Sequence, residues 1–121
     1  RAFSVENSPR KVLRKNFQVF LMNRVEMRII YTGNVQGVGF RWTAKRVSCG
    51  FEVVGFVRNL PDGSVELLGQ GKKSELEEFA QAIRDSGLGP LIRDQKITWS
   101  QIYAAEEAQG HQKCYRGFDI A

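Results

Sequence analysis

At 121 residues the chain is of single-domain size, and a fold this long buries roughly two-thirds of the surface that its unfolded form exposes, so it needs no disulfide or metal to hold it. Its 42% hydrophobic and 26% charged residues are those of an ordinary soluble globular protein, and no run approaches the ~18 apolar residues of a membrane span. Eighteen Lys and Arg against 13 Asp and Glu give a net charge of +5, at face value a pointer to an acidic or phosphorylated partner.

That charge is unevenly spread. Residues 1–26 hold six basic and two acidic side chains, a net of +4, which leaves +1 for residues 27–121. The chain therefore divides into a basic N-terminal extension, 1–26, and a near-neutral domain, 27–121. Within the extension, 1–16 reads as a mobile arm. Residues 17–22 (FQVFLM) are apolar enough to dock on the domain.

The domain's elements follow in quick succession. Residues 27–32 are rich in β-branched and aromatic side chains and predict a strand that Gly33 stops. After a glycine-rich loop, Phe40, Ala44 and Val47 recur at i, i+4 and i+7, the spacing of one helix face, and Gly50 is expected to end that helix. Residues 53–58 and 65–70 read as strands joined through Pro61, Asp62 and Gly63, whose turn chemistry makes them a hairpin. Ser74 with Glu77 three residues on predicts a capping box, followed by Leu76, Phe79, Ala80 and Ile83 at helical spacing, with Gly87 expected to close the helix. Residues 97–103 alternate, with Ile97, Trp99 and Tyr103 on one face and Thr98, Ser100 and Ile102 on the other, as in a half-buried strand. A polar stretch, 104–113, precedes a short last strand at Phe118 and Ile120.

The order is β-α-β-β-α-β with a terminal strand. It implies an α+β fold of the ferredoxin-like βαββαβ sandwich type, with two helices packed on one face of an antiparallel sheet. Fold alone does not assign a function.

Several chemistries are poorly supplied. Cys49 and Cys114 have no metal-ligand spacing and read as two reduced thiols in a cytosolic protein. His111, the one histidine, lies in a polar run and reads as a solvated loop residue. The N-terminus has no apolar signal region with a small-residue cleavage site, and a cytoplasmic location is expected.

The informative segment is the loop from Gly33 to Arg41. Three glycines in seven positions between a strand and a helix let the backbone turn sharply and present successive N–H groups, an anion nest at a helix N-terminus. No Lys-Ser/Thr follows the glycines, so it is not a Walker A loop, and the spacing is wrong for a dinucleotide fingerprint. Arg41, just beyond the nest, can grip two oxygens of a phosphate bidentately.

Gly33-x-Val35-Gln36-Gly37-Val38-Gly39-Phe40-Arg41, followed by Gly55-Phe56-Val57-Arg58-Asn59-x-x-Asp62-Gly63-Ser64-Val65, strongly resembles the acylphosphatase family. The likeness covers about residues 27–121, including the trailing Gly117-Phe118-Asp119-Ile120, and leaves 1–26 outside it. The resemblance implies hydrolysis of the carboxyl–phosphate bond of small acyl phosphates to a carboxylate and inorganic phosphate, with no metal and no cofactor. It also implies roles: backbone N–H groups of Gln36, Gly37, Val38, Gly39 and Phe40 as the phosphate cradle, Arg41 as the phosphate-binding guanidinium, and Asn59 as the residue that orients the attacking water. The expected partners are an acyl phosphate and phosphate ion, without metal, membrane or, for the domain, nucleic acid. A monomer is expected.

Two other readings share the topology. A single-stranded nucleic-acid-binding module needs stacking aromatics on its central strands. Gly55, Phe56 and Val57 match only a fragment of that run, and Asn59 stands where its last aromatic belongs. A non-catalytic phosphate-binding module is the other, and the presence of both Arg41 and Asn59 weighs against it.

Overall fold

Residues 24–102 and 115–121 are described by a computed structural model. Strand β1 (Arg24–Gly33) leads through the glycine loop into helix α1 (Phe40–Ser48), then strands β2 (Val53–Asn59) and β3 (Val65–Lys72), helix α2 (Lys73–Asp85), a 3-10 turn (Gly89–Leu91), strand β4 (Ile92–Gln101) and strand β5 (Phe118–Ile120). The strands form one open sheet in the order β4-β1-β3-β2-β5. Each neighbouring pair of the four long strands is antiparallel, as expected, and β5 adds a short parallel edge beside β2. Both helices pack on the sheet, and the α+β, ferredoxin-like arrangement stands.

The core forms because alternate residues of the strands meet the apolar stripes of the helices. Met27, Ile29 and Tyr31 from β1, Val57 from β2 and Leu67 from β3 are buried against Ala44 of α1 and Leu76, Phe79 and Ile83 of α2. The ring of Phe79 meets that of Phe118 edge-on at 5.3 Å, which stitches the short fifth strand to the same core. On the other sheet face the Glu66 carboxylate, 2% exposed, is clamped by Arg28 Nη1 at 2.7 Å and Arg58 Nε at 2.6 Å. Arg58 thus has a structural partner that sequence reading did not find.

Six local expectations need correction. The Ser74–Glu77 capping box does not form: β3 runs straight into α2, Lys72 is the N-cap, and no side chain caps the helix. Glu75 in the first turn instead accepts the Glu52 backbone N–H at 2.8 Å. At its other end α2 stops at Ser86, one residue before Gly87, because the Ser86 amide bonds back to Ala82 O and its hydroxyl to Ile83 O. Strand β4 begins at Ile92, five residues before the apolar alternation does. It is an edge strand, exposed at most positions, so Arg93, Asp94 and Lys96 carry no periodic signal. Ile102, expected on the face opposite Ile97, is buried, while Ile97 is 38% exposed. Strand β1 starts at Arg24 rather than Met27, and α1 closes at Ser48 with Cys49 as its C-cap. The expectations for 17–22, Tyr103, 104–113, His111 and Cys114 fall outside the described residues; Cys49 is an exposed free thiol.

Tyr31 joins this core to the glycine loop. Its ring stacks at 4.8 Å on Phe40, the first residue of α1. Its hydroxyl is buried with no hydrogen-bond partner among the described residues. Burial pushes the phenol's pKa well up, against a smaller opposing pull from Arg84. An unpaired buried hydroxyl costs stability, and its removal costs little. Tyr31→Phe should therefore leave the urea midpoint unchanged or raised, whereas Tyr31→Ala, which empties the ring site, should cost about 3–5 kcal/mol.

Candidate active site

The loop between β1 and α1 is held at both ends and open in the middle. Val35 is fully buried and Phe40 nearly so, and the Asn34 amide donates to Leu91 O at 3.0 Å. Between these anchors Gly37 (φ 75°) and Gly39 (φ 80°) both take left-handed conformations. No atom lies within 4 Å of where a Cβ would stand on either. Glycine is needed there for backbone geometry, not for want of space.

Gly39 is the N-cap of α1 and offers no side-chain cap, and the helix has no acidic residue in its first turn. The first amide to bond back is that of Thr43, on Gly39 O at 2.9 Å. Among the described residues, the amides of Gln36 to Trp42 have no protein acceptor. A helix end left with free donors and a positive dipole end is an anion site.

Two side chains complete the arrangement. Arg41 lies in the first turn of α1 and has no ion-pair partner among the described residues. Asn59 ends β2, opposite Val65 in the hairpin register, and its side chain likewise has no partner among them. Asn59 does not cap its own turn: that turn is closed by Leu60 N–H on Ser64 O at 2.8 Å and by Asp62, whose carboxylate accepts from both the amide and the hydroxyl of Ser64. Those bonds hold the Asp62 carboxyl below its usual pKa.

Gly37, Gly39, Phe40, Arg41 and Asn59 line one cavity of about 190 Å³. Gln36 and Val38, also expected in the cradle, are not among the residues that line it; Val38 packs against the core. A larger polar cleft of about 500 Å³ lies between the end of α2 and the start of β4 and contains none of these residues. Among the described residues no three His, Cys, Asp or Glu side chains gather as a metal-ligating group, and no helix is long and apolar enough to cross a membrane.

Sequence reading used Gln36 for its backbone alone. In the structure its side-chain Nε2 donates to Leu60 O and to Ser64 O, each at 2.8 Å. The glycine loop is thereby tied to the turn that follows Asn59. The signal lay in the pairing of the two motifs, but the bond spans 24 and 28 residues of chain and needed the fold to be seen.

The family model for acylphosphatase matches residues 27–120. The chain belongs to the acylphosphatase family. It is 33% identical over 97 residues to the acylphosphatase of Archaeoglobus fulgidus, covering 80% of this chain and 98% of that one. To the acylphosphatase of Bacillus subtilis it is 32% identical over 89 residues, covering 74% and 92%. The crystal structure of acylphosphatase from Bacillus subtilis superposes with a TM-score of 0.66 at 30% identity, covering 80% of this chain and 98% of that one. The protein is accordingly an enzyme that hydrolyses acyl phosphates.

Losing the Gln36 amide would free the turn from the loop in this acylphosphatase domain. Gln36→Ala should lower stability in urea unfolding by about 1–2 kcal/mol, the worth of two partly buried hydrogen bonds. It should also reduce kcat on benzoyl phosphate several-fold; a change in stability with kcat intact would limit Gln36 to a structural role.

Proposed function

We propose that the cavity at the N-terminus of α1 binds the phosphoryl group of an acyl phosphate and directs water onto its phosphorus. The observation that carries this is that Arg41 and Asn59, neither engaged by another side chain among the described residues, border one cavity together with Gly37, Gly39 and Phe40, whose amides have no acceptor among those residues. The backbone N–H groups of Gln36 to Phe40 and the Arg41 guanidinium take the phosphoryl oxygens. The Asn59 side-chain carbonyl accepts a hydrogen bond from the water and holds it in line with the bond to be broken.

The chemistry asks for little more. Water oxygen bonds to phosphorus, the bond from phosphorus to the carboxyl oxygen breaks, and its electron pair leaves with the carboxylate. That group's conjugate acid has a pKa of roughly 4, so it departs without a proton. The water's proton passes to a phosphoryl oxygen of the substrate, and the products are a carboxylate and inorganic phosphate. No general acid is required, and positioning with electrostatic stabilisation supplies the rate. Charge on the phosphoryl oxygens in the transition state is what the loop amides and Arg41 bind best. The mechanism calls on no metal or cofactor, and one chain carries every group it uses, as a monomeric enzyme requires.

The two side chains separate cleanly in experiment. With EDTA present throughout, the parent should hydrolyse benzoyl phosphate. Arg41→Ala should lose both turnover and competitive inhibition by inorganic phosphate. Asn59→Ala should lose about 10²–10³ in kcat, the scale of one oriented polar group, while phosphate still inhibits it. Turnover by Asn59→Ala at the parent rate would remove that residue from the mechanism.

A further inference from the structure

The loop and Arg41 account for the phosphate half of the substrate and leave the acyl half unassigned. Among the described residues three large hydrophobic side chains are well exposed: Trp42 at 61%, Ile97 at 38% and Ile120 at 41%. Two of the three, Trp42 and Ile120, line the same cavity as Arg41 and Asn59. Scattered exposed apolar residues need no explanation, but two on the wall of one small site do.

Both are held in place from outside the cavity. Trp42 follows Arg41 directly on α1, and the Arg46 guanidinium one helical turn on lies 5.0 Å from its ring centroid. That contact steadies the indole and still leaves most of it open. Ile120 is carried by β5, where it is paired with Val57, and the Lys45–Asp119 ion pair at 3.1 Å ties β5 to α1. A phosphoryl group seated on the loop has its acyl substituent bonded to it, which brings that substituent within reach of the walls of this cavity.

We propose that Trp42 and Ile120 form the acyl subsite and make the enzyme selective for acyl phosphates with an aromatic or bulky apolar acyl group over acetyl or carbamoyl phosphate. This rests on the active-site reading above. Apolar surface buried against the indole and the isoleucine favours the larger group in proportion to its area, whereas acetyl and carbamoyl groups have little to bury. Neither residue touches the reacting atoms; they set specificity.

The test is the ratio of kcat/KM for benzoyl phosphate to that for acetyl phosphate, two substrates with the same reacting bond. The parent should favour benzoyl phosphate. Trp42→Ala should lower the ratio about tenfold, Ile120→Ala should lower it by a smaller factor, and Trp42→Phe, which keeps an aromatic face, should retain the parent ratio within about twofold. A ratio unmoved in Trp42→Ala, whether both substrates slow equally or neither does, would overturn the subsite. No turnover of either substrate by the parent, or turnover by Arg41→Ala, would instead sink the active-site reading on which it rests.

Discussion

One side-chain nitrogen joins the two halves of this active site. Nε2 of Gln36 donates to Leu60 O and Ser64 O at 2.8 Å each, and through those bonds the loop proposed to receive phosphate shares a frame with the turn beside Asn59. Without such a tie the two motifs would sit on separate surface loops, coupled only through the sheet and core beneath them. A water held in line with a breaking bond must keep its position relative to the phosphoryl group, and misplacement by an ångström is costly. If the proposed mechanism holds, the hydrogen bonds of Gln36 are a condition of the chemistry as much as of the fold.

The rest of the structure supports that frame from beneath. Val35 and Phe40 are buried on either side of the glycines, and Tyr31 packs its ring on Phe40. Pinned flanks and unencumbered glycines give a loop whose shape is set while its amides stay unpaired. The fold keeps donors at a helix N-terminus without protein partners, an arrangement that costs stability unless water or an anion satisfies them. In the proposed mechanism that arrangement readies the site for phosphate before any substrate arrives.

Much of this was legible in the sequence for identifiable reasons. The glycine loop, Arg41, Asn59 and the hairpin between them are local patterns of residue type and spacing, and the strand order follows from element order and known chirality. What was hidden depends on tertiary partners. Glu75 leaves no trace of its bond to the Glu52 amide, nor Arg58 of its clamp on Glu66. The early part of β4 has no period because an edge strand buries little on either face. Ser86 ended α2 by its own hydroxyl and amide, chemistry that competes with the better-known glycine stop. The net charge of +5 was the least informative feature, since 94 of the residues matched by the family model lie in the near-neutral part of the chain.

A mechanism with so few groups is possible because the leaving carboxylate needs no proton and the phosphoryl group carries its own charge to the donors. What remains for the protein is alignment, so the decisive measurement is whether Gln36 and Asn59 act as one unit. A double-mutant cycle on kcat for benzoyl phosphate, using Gln36→Ala, Asn59→Ala and the pair, reads that coupling directly. The account predicts that removing Gln36 slows the parent but scarcely slows a protein already lacking Asn59. Strictly additive losses would contradict it, because they would show that the tie between loop and turn does not act through the residue that holds the water.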